Sequence, residues 1–426
     1  MENGQVVNGR GGVCSSETVN GGEDVFSCEK SDASSADHLV IMVHGILGST
    51  ADWKFGAEQF IRRFPDKVFV HCSERNIGKL TLDGVDVMGE RLSEEVLEVI
   101  KRKPGLKKIS FVSHSVGGLV ARYAIGRLYR PPRIENTEDL SANACAEGLK
   151  GCTIAGLEPV NFVTVATPHL GSRGNKQVPF LFGVTALEKA AFHVIHLIFK
   201  RTGRHLFLCD NDVGRPPLLK RMVEDDGELQ FLSALRSFKR RVAYSNVGYD
   251  HVVGWRTSSI RRNNELPKWE DSCNEKYPHI VYEEHCKACE GEQGESVLKE
   301  DDSLDKLEEN LVTGLSRVSW DKVDVSFHRS RRRFAAHTVI QGYYYSISFY
   351  PNSLAYILCI ALFDLGLLEN PSGWGAGSNG GRASLRHCHF RHVDNIVEEY
   401  VVLKNENIIT AQVVVVVVAM VGRASV

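Results

Sequence analysis

Residues 107–130 constrain the fold of this chain more than any other stretch of its sequence. They contain a short apolar run, then Ser113-His-Ser115-Val-Gly117, then apolar residues at helical spacing. A strand, a sharp turn with a serine, and a helix in this order are typical of a nucleophile elbow, whose turn demands small neighbours. Serine is a small substitute at position 113, where glycine is usual. The pattern predicts that Ser115 lies at the helix N-terminus, whose free N–H groups favour a developing oxyanion.

The composition excludes several classes of protein. The 426 residues carry a formal net charge of −2, which gives no electrostatic footprint for a nucleic-acid partner. The length is sufficient for one large α/β domain with extensions. The 11 cysteines are odd in number and irregularly spaced, no secretory signal is seen, and no apolar run is long enough to cross a bilayer. We therefore expect reduced thiols and a cytoplasmic protein.

Apolar runs of strand length alternate with helical patterns along the chain. Strands are predicted at residues 38–44, 68–71, 159–166, 240–249 and 323–327, and a helix at 84–103. The continuous apolar character of the first run is typical of a strand that is buried on both faces. This alternation predicts an α/β fold with a mostly parallel central sheet, right-handed crossovers and helices on both faces.

The loop after the first predicted strand reads His44-Gly45-Ile46-Leu47-Gly48. In a sheet with this strand order, the corresponding loop supplies a backbone N–H donor to an oxyanion. Gly45 allows the backbone to approach a substrate closely because it lacks a side chain. We assign the donor to Ile46, with Leu47 as the alternative, and we expect His44 and Gly45 to contact the substrate.

A carboxylate follows the strand predicted at residues 240–249. Asp250 falls at the carboxyl end of that strand, which is where the acidic member of a catalytic triad belongs. Asp210, Asp212 and Asp225 are alternatives, although each of them precedes this strand. The assignment of Asp250 rests on its position.

The general base should lie on a loop after the last strand, where it can reach both the serine and the carboxylate. His337 meets this condition, whereas His328 is held at the strand end. His169, which follows an earlier strand, is a further rival. Its neighbour Pro168 favours a loop-shaping role for it instead.

Two segments interrupt the predicted domain. Residues 175–235 include an amphipathic helix at 183–200, and we expect a cap or lid over the strand tips, with a core-packing helix as the alternative. Residues 261–312 are rich in Asp and Glu, which predicts a solvated, flexible insertion. Cys286 and Cys289 form a C-x-x-C motif there, but a structural zinc site needs four ligands, so we predict no metal.

Both ends of the chain differ from the middle. Residues 1–36 hold few large apolar side chains and are predicted to be disordered. Residues 342–426 show no steady helical or strand period. We interpret this irregular tail as an alternative or aberrant terminus that carries no catalytic group.

Five motifs in order carry a resemblance to a known family: H-G-I-L-G, S-H-S-V-G-G-L, T-P-H-L-G-S, Y-S-N-V-G-Y-D and A-H-T-V-I-Q. Together they resemble the putative serine esterase family of lipase-like α/β-hydrolases. The resemblance implies an α/β-hydrolase domain over residues 37–341. It also implies Ser115, Asp250 and His337 as the triad, with Ile46 and Val116 as oxyanion-hole donors.

The chain departs from this family in two places. The family usually has Asn after the base, where this chain has Thr338. The family also continues into a terminal helix that covers the last strand, and no such pattern follows residue 342. These departures concern the loop that holds His337.

The resemblance implies a function as well as a fold. We expect hydrolysis of carboxylic, acyl-lipid esters through an acyl-enzyme, without a cofactor or metal, with transient contact to a membrane or lipid surface. Two other classes remain open. One is an α/β-hydrolase-fold protein that binds a ligand without turnover, and the other is an acyltransferase or thioesterase with the same triad.

Overall fold

The computed structural model describes residues 36–132, 151–172, 199–211, 214–268, 277–289 and 304–342, together with the backbone of Val13–Cys14. Four of the predicted features lie largely outside these residues. They are the N-terminal segment 1–36, the amphipathic helix at 183–200, of which only the last two residues are described, the tail after residue 342, and Asp212.

Twelve strands are present in the described residues. In chain order they are β1 (Val13–Cys14), β2 (His38–Val43), β3 (Val68–Cys72), β4 (Lys108–His114), β5 (Tyr129–Arg130), β6 (Thr153–Ile154), β7 (Glu158–Val165), β8 (Asp225–Asp226), β9 (Leu229–Gln230), β10 (Arg240–Asn246), β11 (Ile280–Cys286) and β12 (Trp320–Val325). Eight of them form one sheet in the order β1-β3-β2-β4-β7-β10-β12-β11. All neighbours in this sheet run parallel except β11, which pairs antiparallel with β12.

Helices connect these strands. In chain order, the α-helices are α1 (Lys54–Arg63), α2 (Val85–Arg102), α3 (Gly117–Leu128), α4 (Leu218–Arg221), α5 (Phe231–Ser237), α6 (Trp255–Ser259), α7 (Leu304–Leu315) and α8 (Ala336–Val339). Short 3₁₀ helices lie at Thr50–Trp53, Gly78–Leu82, Asn263–Glu265 and Arg333–Ala335. Residues 199–206 are also helical. Among the described residues, no helix combines the length and the apolar character that crossing a membrane requires.

The sheet separates two apolar clusters, and β2 shows why its sequence is continuously apolar. All six of its residues are buried. Leu39 and Ile41 join the cluster beneath α2 and α3, whereas Val40 and Met42 join the cluster beneath α1. Successive side chains of a strand point to opposite faces, so a strand with helices on both faces needs apolar residues throughout. The predicted α/β fold with a mostly parallel sheet is confirmed.

The described part of the predicted lid packs into the core. Met222 and Phe231, on either side of the β8–β9 hairpin, are buried in the same cluster as α3. Phe231 lies so close to α3 that a Cβ added at Gly126 would come within 2.5 Å of its ring. The prediction of a cap is therefore wrong for residues 214–235. Apolar periodicity identifies a face that must be covered, but not what covers it.

The prediction of a flexible acidic insertion at residues 261–312 is also wrong for two of its parts. β11 pairs with β12 through six of its seven residues, and α7 buries Leu311, Val312 and Leu315 in the core. Glu308 on α7 forms a buried ion pair with Arg256 of α6. The acidic composition corresponds to an amphipathic helix, in which Glu308 is neutralised by Arg256 and Glu309 is exposed to solvent.

The two ends of the described structure add small elements to the sheet. Within the segment predicted to be disordered, β1 pairs with β3 through Val13 and Cys14. At the other end, the one-turn helix α8 buries Val339 and is followed by buried Ile340 in the cluster beneath α1. The longer covering helix of the family would follow residue 342, in a part of the chain that lies outside the described residues.

Candidate active site

The turn after β4 has the backbone geometry that the sequence pattern predicts. Ser115 has a φ of 54°, its N–H donates to the carbonyl oxygen of Val165 over 2.9 Å, and α3 begins two residues later. A Cβ at Gly117 would lie 2.4 Å from the carbonyl oxygen of His44, so only glycine fits against the loop after β2. Ser115 therefore stands at the carboxyl end of β4, above the N-terminus of α3.

Three side chains meet at this edge of the sheet. The Ser115 hydroxyl lies 3.1 Å from His337 Nε2, and His337 Nδ1 lies 3.0 Å from Asp250 Oδ2. Ser115 follows β4, Asp250 follows β10 and His337 lies in α8 after β12. Because the carboxyl ends of parallel strands lie along one edge, residues 222 positions apart come into contact here.

Asp250 is held as a carboxylate by its neighbours. Its Oδ1 accepts hydrogen bonds from the N–H groups of Val252 and Val253 over 3.0 and 2.8 Å, and its Oδ2 accepts one from Asn246 Nδ2 over 2.8 Å. Burial alone would raise the pKa of this carboxyl. The charge of His337 and these hydrogen bonds outweigh burial and hold the pKa of Asp250 below its usual value.

His114, immediately before the serine, was not singled out in the sequence. Its Nε2–H donates to the carbonyl oxygen of His337 over 2.7 Å, and the two rings lie 4.7 Å apart. Burial, followed by the nearby His337 ring, lowers the pKa of His114 to about 3. The neutral ring is thus a permanent support for the loop that carries His337. Its position next to Ser115 was the available signal.

Asn246 has a similar supporting role on β10. Besides Asp250, its Nδ2 donates to the carbonyl oxygen of Ala336 over 3.2 Å. One amide therefore connects the carboxylate to the backbone next to His337. Its signal in the sequence was its place in the motif Y-S-N-V-G-Y-D, four residues before Asp250.

The loop after β2 distinguishes the two candidate donors to an oxyanion. The Leu47 N–H already donates to Thr81 Oγ1 over 2.8 Å. The N–H groups of Ile46 and Val116 have no acceptor in the described part of the chain. Gly45 packs so tightly against Ser115 that an added Cβ would lie 2.9 Å from the serine Cβ. The geometry therefore favours Ile46 over Leu47 as the partner of Val116.

The sequence of this chain matches a known protein family. Residues 33–260, more than half of the chain, match the family described as Putative serine esterase (DUF676). The chain belongs to this family. The matched region contains the elbow, the loop after β2 and Asp250, and it ends before β12 and His337.

Curated relatives match about half of this chain. Putative lipase ROG1 of Saccharomyces cerevisiae is 28% identical over 231 residues, covering 52% of this chain and 28% of that protein. Putative lipase C4A8.10 of Schizosaccharomyces pombe is 29% identical over 233 residues, covering 52% of this chain and 26% of that protein. The chain thus spans less than a third of the length of these relatives.

Solved structures resemble this member of the esterase family at low identity. Phospholipase PlaB from Legionella pneumophila, in complex with thio-NAD, is 14% identical, with a TM-score of 0.30, covering 50% of this chain and 38% of that one. An extracellular α/β-hydrolase from a Paenibacillus species is 12% identical, with a TM-score of 0.26, covering 52% and 82%. These likenesses concern the fold alone.

A cavity of about 190 Å³ opens beside the serine in this esterase-family chain. Its wall includes Ile46, Ser115, Val252 and His337. Gly45 also lines the cavity, and its contact with a substrate stays a prediction. His44 is not part of the wall, because it is buried with its Nδ1 3.0 Å from the carbonyl oxygen of Gly45.

The rival bases have other partners. His169 is buried, its Nε2 lies 2.9 Å from Thr164 Oγ1, and its ring packs edge-on against Trp320. His328 Nδ1 lies 2.7 Å from Ser326 Oγ. Neither ring is placed between Ser115 and a carboxylate.

The rival acids serve as backbone caps. Asp210 Oδ2 accepts the N–H of Leu218, at the start of α4, over 2.8 Å. Asp225 Oδ1 accepts the N–H groups of Leu232 and Ser233, at the start of α5, over 2.9 and 3.0 Å. These hydrogen bonds give both carboxylates a structural role at the start of a helix, without a role in catalysis. Within the described residues, no cluster of three or more His, Cys, Asp or Glu could hold a metal ion.

Proposed function

We propose that the chain is a serine hydrolase that cleaves carboxylic esters, with acyl lipids as its substrate class. The observation that carries this proposal is the arrangement of His337 between the Ser115 hydroxyl and the Asp250 carboxylate, at 3.1 and 3.0 Å. Membership of the serine esterase family and the putative lipases among its relatives support the ester and lipid classes.

The proposed mechanism follows from these distances. A serine hydroxyl is a weak nucleophile, so His337 Nε2 removes its proton as Ser115 Oγ attacks the ester carbonyl. Asp250 accepts the Nδ1–H hydrogen bond and stabilises the imidazolium. The proton then passes to the leaving alcohol, and an acyl-enzyme remains. Water, activated by the same histidine, hydrolyses the acyl-enzyme.

The negative charge that develops on the carbonyl oxygen needs donors. The N–H groups of Ile46 and Val116 lie beside Ser115 without protein acceptors among the described residues, and we assign the oxyanion to them. Val116 also precedes α3, whose N-terminal dipole favours negative charge. Each such donor contributes on the order of 3 kcal/mol to transition-state stabilisation. We propose a cytoplasmic enzyme that works at lipid surfaces.

A fluorophosphonate probe tests the proposal, because it reacts covalently with an activated serine. We expect the purified chain to be labelled, the Ser115→Ala variant to lose labelling and ester hydrolysis, and Ser113→Ala to retain both. Ser113 is a matched control, since it is a buried serine on β4, two residues before Ser115. Labelling of a folded Ser115→Ala protein would contradict the assignment.

The same experiment separates the alternative functions. A folded chain that is never labelled would be a binding protein with an inactive hydrolase fold. A labelled chain that transfers its acyl group to an added alcohol faster than to water would be an acyltransferase. A series of chromogenic esters and thioesters of increasing chain length then identifies the preferred acyl group.

A further inference from the structure

Three large apolar side chains are exposed in the loops that follow β10 and β12. Val252 lines the cavity and is 44% exposed, while Tyr249 and Phe334 are 38% and 57% exposed. The rings of Tyr249 and Phe334 meet edge to face at 5.6 Å, although they belong to the loops after β10 and β12. The two loops are thus joined through their aromatic rings, and one of them reaches the cavity beside Ser115 through Val252.

The same surface is strongly basic. Arg329, Arg331, Arg332 and Arg333 are exposed, and residues 325–342 contain no Asp or Glu. The Arg333 guanidinium lies 5.0 Å from the Phe334 ring centre and 5.5 Å from that of Tyr249. These four arginines with Tyr249, Val252 and Phe334 are called the arginine–aromatic patch below.

We infer that the arginine–aromatic patch docks the chain on an anionic lipid bilayer, with the cavity mouth facing the membrane. Aromatic rings favour the headgroup region of a bilayer, and arginines are attracted to its negative surface. The inference rests on the proposed function, since an ester embedded in a bilayer reaches Ser115 only if the mouth faces the lipid. An acidic protein would also attract the arginines, but it would not account for the three exposed apolar side chains that accompany them.

Sedimentation with vesicles tests the docking without hydrolysis, using the full chain with Ser115→Ala. We expect binding to vesicles of phosphatidylcholine with phosphatidylserine, and much weaker binding to phosphatidylcholine alone. Raising the ionic strength to about 1 M, where the Debye length is about 3 Å, should release the protein. Arg331→Gln with Arg332→Gln should reduce the partition coefficient about fivefold for each charge. Phe334→Ser should weaken binding to both kinds of vesicle.

The matched control is Arg62→Gln with Arg102→Gln. Both arginines are exposed at the ends of α1 and α2, where those helices lead into the amino ends of β3 and β4, opposite the cavity. Equal loss of binding in this control, or equal binding to neutral and anionic vesicles, would overturn the docking surface. Binding to polyglutamate in preference to vesicles would also overturn it, in favour of an acidic protein partner.

The outcome is separable from that of the proposed function. Vesicle binding by a chain that no fluorophosphonate probe labels would refute the hydrolase and leave the docking surface standing. A chain that the probe labels but that does not bind anionic vesicles would support the hydrolase and refute the docking surface.

A second, independent observation concerns Gln341. Its side chain is 2% exposed, it lines the cavity, and its Nε2 is buried without a hydrogen-bond partner in the described structure. Buried amides are almost always paired, because burying an unpaired polar group is unfavourable. A cavity wall with an unpaired amide therefore indicates that a ligand supplies the partner.

We infer that Gln341 binds a hydroxyl group on the alcohol part of the ester. His337 delivers the proton to the leaving oxygen, so the alcohol must depart on the side of the cavity that His337 forms. Gln341 lies four residues after His337 and lines the same cavity, together with Thr338. The amide N–H is thus placed to donate to a second oxygen of the leaving alcohol. This inference rests on the proposed hydrolysis.

Two esters of one fatty acid test this role: the ethyl ester and the 2-hydroxyethyl ester. We expect the ratio of their kcat/KM values to favour the hydroxyl-bearing ester, and Gln341→Leu to reduce that ratio tenfold or more. Because both esters meet the same variant protein, partial misfolding cancels in the ratio. An unchanged ratio would overturn the role of Gln341, whereas a wild-type chain that cleaves neither ester would refute the hydrolase itself.

Discussion

The serine and the histidine of the candidate site are held in place in different ways. Ser115 lies between a seven-residue strand and a twelve-residue helix, and the glycines around it leave no room for movement. His337 lies on a four-residue helix next to exposed arginines. The carbonyl oxygen of His337 accepts a hydrogen bond from His114 on β4, and that of the preceding Ala336 accepts one from Asn246 on β10. The nucleophile is therefore positioned by local structure and the base by two long-range side chains.

The largest expected effect comes from removing the base itself. His337→Ala should lower kcat about 10⁴-fold or more, because the serine loses its proton acceptor. His328→Ala, on the same loop, should retain activity, since that ring contacts Ser326 instead. Hydrolysis of a soluble chromogenic ester measures both. Inactivity of the His328 variant alone would show that the wrong histidine has been assigned.

A smaller effect on stability is expected at the elbow. Gly117→Ala places a Cβ 2.4 Å from the His44 carbonyl oxygen and 2.7 Å from that of Val43, so β2 and α3 must separate. Overpacking of this kind costs roughly 1–3 kcal/mol of unfolding free energy. Gly248→Ala is the control, because its added Cβ meets nothing within 4 Å. Thermal unfolding that shifts equally in both variants would argue against a tightly packed elbow.

The support of the base can be tested by replacing its donor. His114→Phe keeps a ring but leaves the His337 carbonyl oxygen without its partner, and we expect kcat to fall about tenfold as the base loop loosens. His38→Phe is the matched control, since His38 is a buried histidine paired with Ser110 at the far end of the sheet. If the two variants lose the same amount of stability and also the same amount of activity, the hydrogen bond from His114 has no specific role in positioning His337.

The smallest effect at neutral pH concerns protonation of these two histidines. Burial lowers the pKa of His114 to about 3 and that of His38 to about 4, from an ordinary value of 6.5. The unfolded chain therefore binds more protons than the folded chain below pH 6.5, and stability must fall as the pH falls. Denaturant titrations at several pH values should show this loss between pH 6.5 and 4. Each Phe variant should reduce the slope by up to about 1.4 kcal/mol per pH unit.

The contrast between the two regions also explains how far the sequence could be interpreted. The elbow and β2 follow from local signals, namely small residues around Ser115 and an unbroken apolar run. The sequence favours His337 over His328 only because of their positions relative to the last strand along the chain. The roles of His114 and Asn246 depend on contacts with residues 223 and 90 positions away, which no local pattern records.

Two segments differ from their predicted structure for a related reason. The sequence predicts a cap at residues 214–235 and a flexible insertion that includes most of α7, whereas both bury apolar side chains in the core. An amphipathic segment shows that one face must be covered, and its composition does not identify the covering surface. For Leu311 and Leu315, that surface is created only when distant parts of the chain have already packed.

The long separation of the three side chains has a consequence for folding. Ser115 precedes His337 by 222 positions, and the strand leading to His337 joins the sheet beside β10. Contacts at such separation form late, because closing a long loop costs conformational entropy before native contacts compensate for it. A partly synthesised chain can thus form the elbow while its serine still lacks an activator. Recovery of the proposed ester hydrolysis during refolding should therefore trail recovery of sheet structure, and an incomplete chain would carry a serine without its activator.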